Sequence, residues 1–267
     1  MTLTQMTTTA RTAPMTAAQR VLAVLEAFDQ EHIVLTLSEI SRRVGLSLST
    51  THRLVGELRE WGALERSADG KYAIGMRILE LGCLEPQGLK LRDVALPLLG
   101  DLQAATNANV HLAVRDGHDV VYVESLRARN GARVLSRLGG RWPLHATGTG
   151  LVLLAFSGPD LQEAVLSSTL KRFTPKTITD ADELRRTLAQ VRRTGIAVVE
   201  DSITVDAIAV AVPVRGPRDR LVAALGVTVP TNTASPTALL PALTATARAI
   251  SRGLGAPSAI GRPNTAA

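Results

Sequence analysis

Apolar side chains recur at helical spacing on both sides of a single glycine, Gly45. The stripe before this glycine consists of Leu37, Ile40 and Val44, and the stripe after it consists of Thr51, Leu54, Val55 and Leu58. Each stripe predicts a short helix with one buried face, and glycine can adopt the positive φ that a tight turn between crossed helices requires. The pattern over residues 36–58 therefore predicts a helix-turn-helix, although an ordinary helical hairpin would share these features.

The residues that follow favour a DNA-binding winged helix over a plain helical hairpin. Within residues 64–74, Asp69-Gly70 is a strong signal for a two-residue hairpin turn between short alternating strands. A hairpin in this position would form the wing. Four apolar residues upstream predict a further helix that completes a small core over residues 17–75: Val21, Leu22, Leu25 and Phe28.

The outward face of the second predicted helix has the character of a DNA-reading surface. It is small, polar and cationic, as a helix that enters the major groove requires, and either Ser47 or Ser49 is placed to cap its start. Two basic residues flank the tip of the predicted wing, where a phosphate backbone or minor groove would lie. The residues predicted to contact DNA are Arg42, Arg43, Ser47, Leu48, Ser49, Thr50, His52, Arg53, Arg66 and Lys71.

Composition indicates a globular protein but does not itself indicate DNA binding. The 267 residues are 45% apolar, enough for one large or two modest domains, and the net charge is +6. The first 82 residues hold nine basic and nine acidic side chains, so the DNA-binding prediction depends on local residues and not on bulk charge. No apolar run is long enough to cross a bilayer and no secretory signal is present, so we expect a cytoplasmic protein without a membrane partner.

The sequence offers little for catalysis or metal binding. The single cysteine, Cys83, cannot form an internal disulfide, and no Cys or His cluster has the spacing of a metal site. There is no nucleophile elbow and no pair of carboxylates at catalytic spacing. We therefore predict no metal, no cofactor and no catalytic residue. An enzyme that uses His145 with a nearby Asp or Ser is a remote alternative.

Beyond residue 82 the period of the apolar pattern changes. A linker is predicted at 82–88 and is followed by a helix at 89–106. Further helices are predicted from about residue 149, at 160–166, at 180–194 and at 237–254. A β-hairpin at 110–125 turns at Asp116-Gly117, and further strands are predicted at 133–138, 196–200, 208–214 and 221–229.

Long helices at both ends of mostly antiparallel strands predict an α+β fold for the second half of the chain. The predicted organisation is a disordered arm at 1–16, a winged helix-turn-helix at 17–81, a linker at 82–88, an α+β domain at 89–254 and a disordered tail at 255–267.

Both halves resemble the isocitrate lyase regulator (IclR) family of bacterial transcription regulators. The first half matches through TLSEISRRVGLSLSTTHRLVGELREWGALER. The second half matches through VHLAVRDGHDVVYVESL, RWPLHATGTGLVLLA, FTPKTIT, IAVAVPV and LVAALGVTVP, in the order and spacing of the family. The resemblance covers roughly residues 17–254. It implies a GAF-like effector-binding domain, and a homodimer or homotetramer that reads a pseudo-palindromic operator.

The resemblance also assigns an effector site. The loop LHATGTG at 144–150 matches the HAT motif of the family, in which backbone amides at a helix start receive an acidic ligand group. The positions assigned to effector binding are Val134, Trp142, His145, Ala146, Thr147, Gly148, Thr149, Val199, Asp206, Ala207, Ala209, Gly226 and Thr228.

Five of these positions depart from the family pattern. Asp206 stands where the family usually has glycine, and it could bind a cationic group of the ligand or be a solvated loop aspartate. Where relatives commonly place Asp, Cys and two Ser residues around a small carboxylate, this chain has Val199, Ala209, Gly226 and Thr228. A pocket with fewer hydrogen-bonding groups favours a less polar ligand, since each unpaired polar atom costs on the order of 1 to 3 kcal/mol. We expect an effector larger and more apolar than glyoxylate or pyruvate, such as an aromatic or aliphatic acid or a lactone.

The sequence as a whole predicts a ligand-responsive DNA-binding regulator, a repressor in preference to an activator. Its partners would be double-stranded operator DNA, a small-molecule effector and further copies of the chain. The main alternative is a regulator or architectural DNA binder whose effector pocket is no longer used.

Overall fold

The computed structural model describes residues 15–29, 31–84, 86–129, 131–132, 135–233 and 235–260. The chain divides into two compact units, Met1–Pro86 and Gln87–Ala267. The predicted N-terminal arm lies outside the described residues except for Met15 and Thr16. None of the helices in the described ranges is both long and apolar enough to cross a membrane.

The first unit is a winged helix-turn-helix. Its elements are α1 (Ala17–Glu26), β1 (Val34–Leu35), α2 (Leu37–Val44), α3 (Leu48–Trp61), β2 (Leu64–Arg66), β3 (Tyr72–Ile74) and α4 (Met76–Gly82). The three strands form an antiparallel sheet in the order β1-β3-β2. The predicted apolar stripes meet in one core, in which Ile40 of α2 packs with Leu54 and Val55 of α3. This arrangement confirms the helix-turn-helix and the wing.

Local capping fixes where α2 and α3 begin and end. Thr36 and Glu39 form a capping box at the start of α2, and Gly45 ends that helix with a φ of 67°. Of the two serines considered as caps for α3, Ser47 is the one that accepts from the amide of Thr50, at 3.3 Å. The turn between α2 and α3 is therefore fixed by Gly45, which ends one helix, and by Ser47, which caps the next.

Two details of the first unit differ from the prediction. Leu22 was expected in the core, but its side chain is 57% exposed and Val24 is the fully buried residue of α1. The wing turn is also longer than two residues. The amide of Gly70 donates to Ser67 and the amide of Ser67 donates to Lys71, so the turn spans residues 67–70 and ends on a positive-φ glycine.

The second unit is an α+β domain built on a six-stranded antiparallel sheet with the order β6-β5-β4-β9-β8-β7. Its strands are β4 (Asn109–Asp116), β5 (Asp119–Leu126), β6 (Arg141–Pro143), β7 (Ala197–Glu200), β8 (Ala207–Arg215) and β9 (Leu221–Pro230). Its helices are α5 (Pro86–Thr106), α6 (Gly148–Ala155), α7 (Pro159–Leu166), α8 (Ala181–Thr194), α9 (Pro236–Gly253) and α10 (Pro257–Ile260).

The two faces of this sheet differ in side-chain size. On β8, Val210 and Val212 pack on one face with residues of α5 and α9, whereas Ala211 packs on the opposite face with α6 and α8. The neighbouring strand β9 repeats this contrast, with Leu225 on the first face and Ala224 on the second. The small residues leave room beside α6, and this room becomes the cavity described below.

Three predictions for this unit were wrong: one strand, the start of one helix and the extent of the tail. No strand forms in the described part of the predicted strand 133–138, namely 135–138, and the strand that pairs with β5 is instead β6. The reason is that the chain regains the sheet only after Gly139, whose amide donates to the carbonyl of Tyr122. Helix α5 begins at Pro86, inside the predicted linker. The predicted disordered tail contains α10 and a buried Ala256, and only residues 261–267 lie outside the described ranges.

Candidate DNA interface and effector pocket

Helix α3 carries five of the ten residues predicted to contact DNA. Leu48, Ser49, His52 and Arg53 are exposed, while the opposite face of the helix is buried in the core. Thr50 is half-buried and accepts from the hydroxyl of Ser47 at 2.9 Å. The start of α3 therefore presents a compact polar surface around one guanidinium and one exposed leucine. A helix with this surface can enter a major groove.

Arg53 forms an ion pair with Glu57, one turn further along α3. Both side chains are more than half exposed, at 62% and 54%. An exposed pair of this kind contributes at most about 0.5 kcal/mol to a helix. The guanidinium can therefore leave Glu57 at small cost when a stronger acceptor, such as a guanine edge, is present.

Arg43 is held inside the first unit and does not face outward as a free cation. Its guanidinium pairs with Asp29, and its Nε atom is buried with no hydrogen-bond partner among the described residues. Asp29 also accepts from the ring of His32, at 2.8 Å. Arg43 thus ties α2 to the segment after α1, and we assign it a structural role. Its predicted neighbour Arg42 is exposed.

The wing presents the two predicted cations on its surface. The Nε atom of Arg66 donates to the carbonyl of Gly70 at 3.3 Å, and its guanidinium lies 5.7 Å from the centre of the Tyr72 ring. Lys71 pairs with Asp69 at 3.0 Å. These exposed contacts position both side chains near the wing tip without burying them, so they remain able to reach phosphate groups.

A cavity in the second unit lies between the small-residue face of the sheet and the start of α6. Its empty space is about 560 Å³ when the solvent-filled mouth is included. Ten of the thirteen positions assigned to effector binding line it: Trp142, Ala146, Thr147, Gly148, Thr149, Val199, Ala207, Ala209, Gly226 and Thr228.

Strand register explains why residues far apart in sequence meet on this cavity wall. Across β7, β8 and β9, Val199 pairs with Ala209 and Ala209 pairs with Thr228. Two residues before Thr228 on β9, Gly226 pairs with His111 of β4. Directly paired residues project to the same face of a sheet, so these rows form the floor of the cavity.

The start of α6 supplies hydrogen-bond donors at one end of the cavity. Thr147 caps the helix by accepting from the amide of Gly150 at 2.9 Å. Gly148 and Thr149 are the first two residues of α6, so their amides have no acceptor within the helix. Unpaired amides and the helix dipole together favour an anion here. A Cβ at position 150 would lie 2.3 Å from the carbonyl oxygen of Leu144, so this approach of loop and helix requires glycine.

Two of the assigned positions that the structure describes, His145 and Asp206, do not line the cavity. His145 is buried and its Nε2 lies 3.0 Å from the carbonyl oxygen of Lys171, which makes it a tether for the loop that carries Lys171. Asp206 is exposed, has a φ of 60° and accepts from the amide of Thr231, so it forms a turn before β8. Val134 lies outside the described residues.

Five polar residues of the cavity wall were not among the positions assigned from the sequence: His111, Tyr122, Ser136, Ser202 and Thr204. His111 and Tyr122 occupy neighbouring strands in an alternating pattern that also fits ordinary buried positions. Ser202 donates to the carbonyl of Ala146 at 2.8 Å and so joins the loop before β8 to the HAT loop. Nothing in the local sequence distinguishes such residues from core or surface positions.

His111 is neutral in the folded protein at physiological pH. Its side chain is buried, and burial, followed by the charge of Arg127, lowers its pKa from 6.5 to about 4. The unfolded chain takes up a proton near pH 6.5, but the folded chain does so only near pH 4. The stability contributed by this difference is full above pH 6.5 and is lost as the pH falls towards 4.

We therefore expect the free energy of unfolding of the second unit to fall by about 2 kcal/mol between pH 7 and pH 5. Urea unfolding followed by circular dichroism across this range measures the change. In His111→Gln the fall should be smaller by about this amount, while burial of His145, which also lowers its pKa, leaves a residual slope. His118→Gln, which removes an exposed histidine, should keep the full slope. Equal slopes in both variants would contradict a buried neutral His111.

Comparison with known proteins matches both units. A family model described as "IclR helix-turn-helix domain" covers residues 17–68, and one described as "Bacterial transcriptional regulator IclR C-terminal" covers residues 86–252. The HTH-type transcriptional regulator XynR of Escherichia coli is 33% identical over 222 residues, 81% of this chain and 86% of that protein. The HTH-type transcriptional repressor AllR of the same species is 28% identical over 218 residues, 81% of this chain and 80% of AllR.

Solved structures agree with these matches. The crystal structure of an IclR homologue from Microbacterium hydrocarbonoxydans, complexed with 4-hydroxybenzoate, is 38% identical and has a TM-score of 0.83. The match covers 88% of this chain and 97% of that structure.

Proposed function

Because the chain belongs to the IclR family of bacterial transcriptional regulators, we propose that it represses transcription from a pseudo-palindromic operator and is released by a small aromatic acid. The chain is a ligand-responsive DNA-binding regulator and not an enzyme. We further propose that it acts as a homodimer or homotetramer. A protein that binds bacterial chromosomal DNA acts in the cytoplasm.

The class of effector is inferred from the lack of charged side chains in the part of the cavity lining that the structure describes. Among the described lining residues, none has an acidic or basic side chain other than the neutral His111. An anionic group can bind at the amides of Gly148 and Thr149, while the alanines and valine of the sheet floor suit an apolar body. The 4-hydroxybenzoate complex of the 38% identical homologue supports an aromatic acid over a two- or three-carbon oxoacid.

The exposed face of α3 supports sequence-specific DNA binding. Arg53 can donate two hydrogen bonds to a guanine, and Leu48, 52% exposed, can contact a thymine methyl group. Two copies of the first unit would read the two half-sites of a pseudo-palindrome, since symmetric dimers bind symmetric operators. The name of AllR, a repressor, supports repression over activation.

Effector control of the operator would follow from linkage. A ligand that binds one quaternary arrangement better than another shifts the population towards it, and DNA affinity changes by the same coupling free energy. Coupling free energies of about 1 to 3 kcal/mol correspond to roughly 5- to 150-fold changes in operator affinity.

This proposal predicts that benzoate-type acids weaken operator binding at least about fivefold, whereas pyruvate and glyoxylate have no effect. The measurement is fluorescence anisotropy of the full chain on its own upstream DNA, titrated with each acid, with scrambled DNA as control. An operator affinity that responds to pyruvate but not to benzoates would contradict the proposed effector class.

The alternative of an unused pocket gives a different result. If the cavity binds a ligand whose concentration is near 100 times its Kd, binding raises the free energy of unfolding by about 2.7 kcal/mol. The melting temperature then rises by several degrees. A panel of aromatic acids that leaves the melting temperature unchanged would favour a DNA binder without an effector.

A further inference from the structure

His111 and Ser136 form a hydrogen-bonded pair inside the effector cavity. The His111 ring is buried, and its Nε2 lies 3.2 Å from the hydroxyl of Ser136. Its Nδ1 lies 3.2 Å from the hydroxyl of Ser125. Both His111 and Ser136 line the cavity. The imidazole thus connects a residue of β5 to a residue of the segment that leads from β5 to β6.

The chemistry of a neutral imidazole sets the roles of both serines. One ring nitrogen donates and the other accepts, so one serine donates to the ring while the other accepts from it. If Nε2 donates to Ser136, the Ser136 proton is free to donate to a ligand. If Ser136 donates to Nε2, its oxygen is free to accept from a ligand.

This pair therefore suits a hydroxyl group, which donates and accepts equally well. Exchange of the histidine tautomer, accompanied by rotation of the two serine hydroxyls, changes Ser136 from donor to acceptor without moving a heavy atom. The pair can therefore hydrogen-bond to a phenol or alcohol hydroxyl whether that hydroxyl donates or accepts.

Tyr122 lies between this pair and the start of α6 on the cavity wall. Its hydroxyl lies 3.5 Å from the hydroxyl of Thr149, and its ring centre lies 5.3 Å from that of His111. One phenol ring thus spans the wall from the helix start to the imidazole. A ligand with its carboxylate at the α6 amides and its aromatic ring along Tyr122 would extend its far end towards the part of the cavity lined by His111 and Ser136.

We propose that His111 and Ser136 are the specificity-determining residues that recognise a hydroxyl group on the effector, opposite its carboxylate. This inference rests on the proposed function, because it takes the effector to be an aromatic acid in this cavity. The effector class becomes hydroxylated aromatic acids.

The test compares two ligands that differ by one hydroxyl, benzoate and 4-hydroxybenzoate, by isothermal titration calorimetry on the full chain. We expect 4-hydroxybenzoate to bind about five- to tenfold more tightly, as one net hydrogen bond allows. In Ser136→Ala and in His111→Phe, this ratio should fall to about one while benzoate affinity changes less than about threefold.

Ser202→Ala is the matched control, because it removes a different serine hydroxyl from the cavity wall. It should change the affinities of both ligands by the same factor and keep their ratio. A ratio that stays unchanged in Ser136→Ala would overturn the inference. If neither acid binds the unaltered protein, the proposed function fails and the inference fails with it. Ser136→Ala keeps the test usable if His111→Phe does not fold.

Discussion

In the Ala209→Leu variant, we expect the effector to bind about 5- to 150-fold more weakly, because fitting a ligand against an overfilled wall costs about 1 to 3 kcal/mol. Ala209 lies on a central strand between Val199 and Thr228, yet it is only half-buried because the cavity lies over it. The three added carbons of leucine would occupy this space. The first unit is untouched, so DNA affinity without ligand should stay the same.

Calorimetry with benzoate and 4-hydroxybenzoate measures the loss, and anisotropy on upstream DNA checks that the variant still binds its operator. Ala238→Leu is the matched control, because Ala238 is exposed on α9 and the same three carbons there reach solvent. It should bind ligand and DNA as the unaltered protein does. If Ala209→Leu binds both acids normally, the effector site lies elsewhere than in this cavity.

The sequence predicted most of the fold because each element carries its own signal. Apolar periodicity indicated α2 and α3, and alternation indicated β4, β5, β8 and β9. The errors fall where a distant contact decides. The segment 135–138 reads as a strand but does not form one, because Ser136 bonds to His111 and the chain rejoins the sheet only at β6.

The cavity was only partly predictable for the same reason. Positions near the HAT loop could be assigned through a resemblance, and ten of thirteen line one cavity. His111, Tyr122 and Ser136 could not, because their importance depends on register across strands and on burial. Arg43 is an example of the opposite kind. A basic residue beside a recognition helix suggests DNA contact, but in the structure the Arg43 guanidinium forms an ion pair with Asp29.

Replacing Arg53 by alanine is expected to lower affinity for the operator by about 1 to 3 kcal/mol for each half-site, or roughly 5- to 150-fold. The guanidinium is exposed and its only ion-pair partner among the described residues is Glu57. Its loss therefore costs the free protein little stability. The effect should appear as reduced discrimination between operator and scrambled DNA, because a guanine contact carries sequence information and a phosphate contact does not.

Two further variants separate these roles in the same anisotropy assay, run across a salt series. Arg53→Lys keeps the charge but loses the bidentate geometry, so it should retain binding to scrambled DNA and lose preference for the operator. Arg248→Ala removes an exposed arginine from α9 and should leave both affinities unchanged. If Arg53→Ala weakens both DNAs equally and lowers the salt dependence by about one charge for each half-site, Arg53 contacts phosphate only. Sequence reading would then depend on other residues of the same face, among which Leu48 and His52 are the exposed candidates.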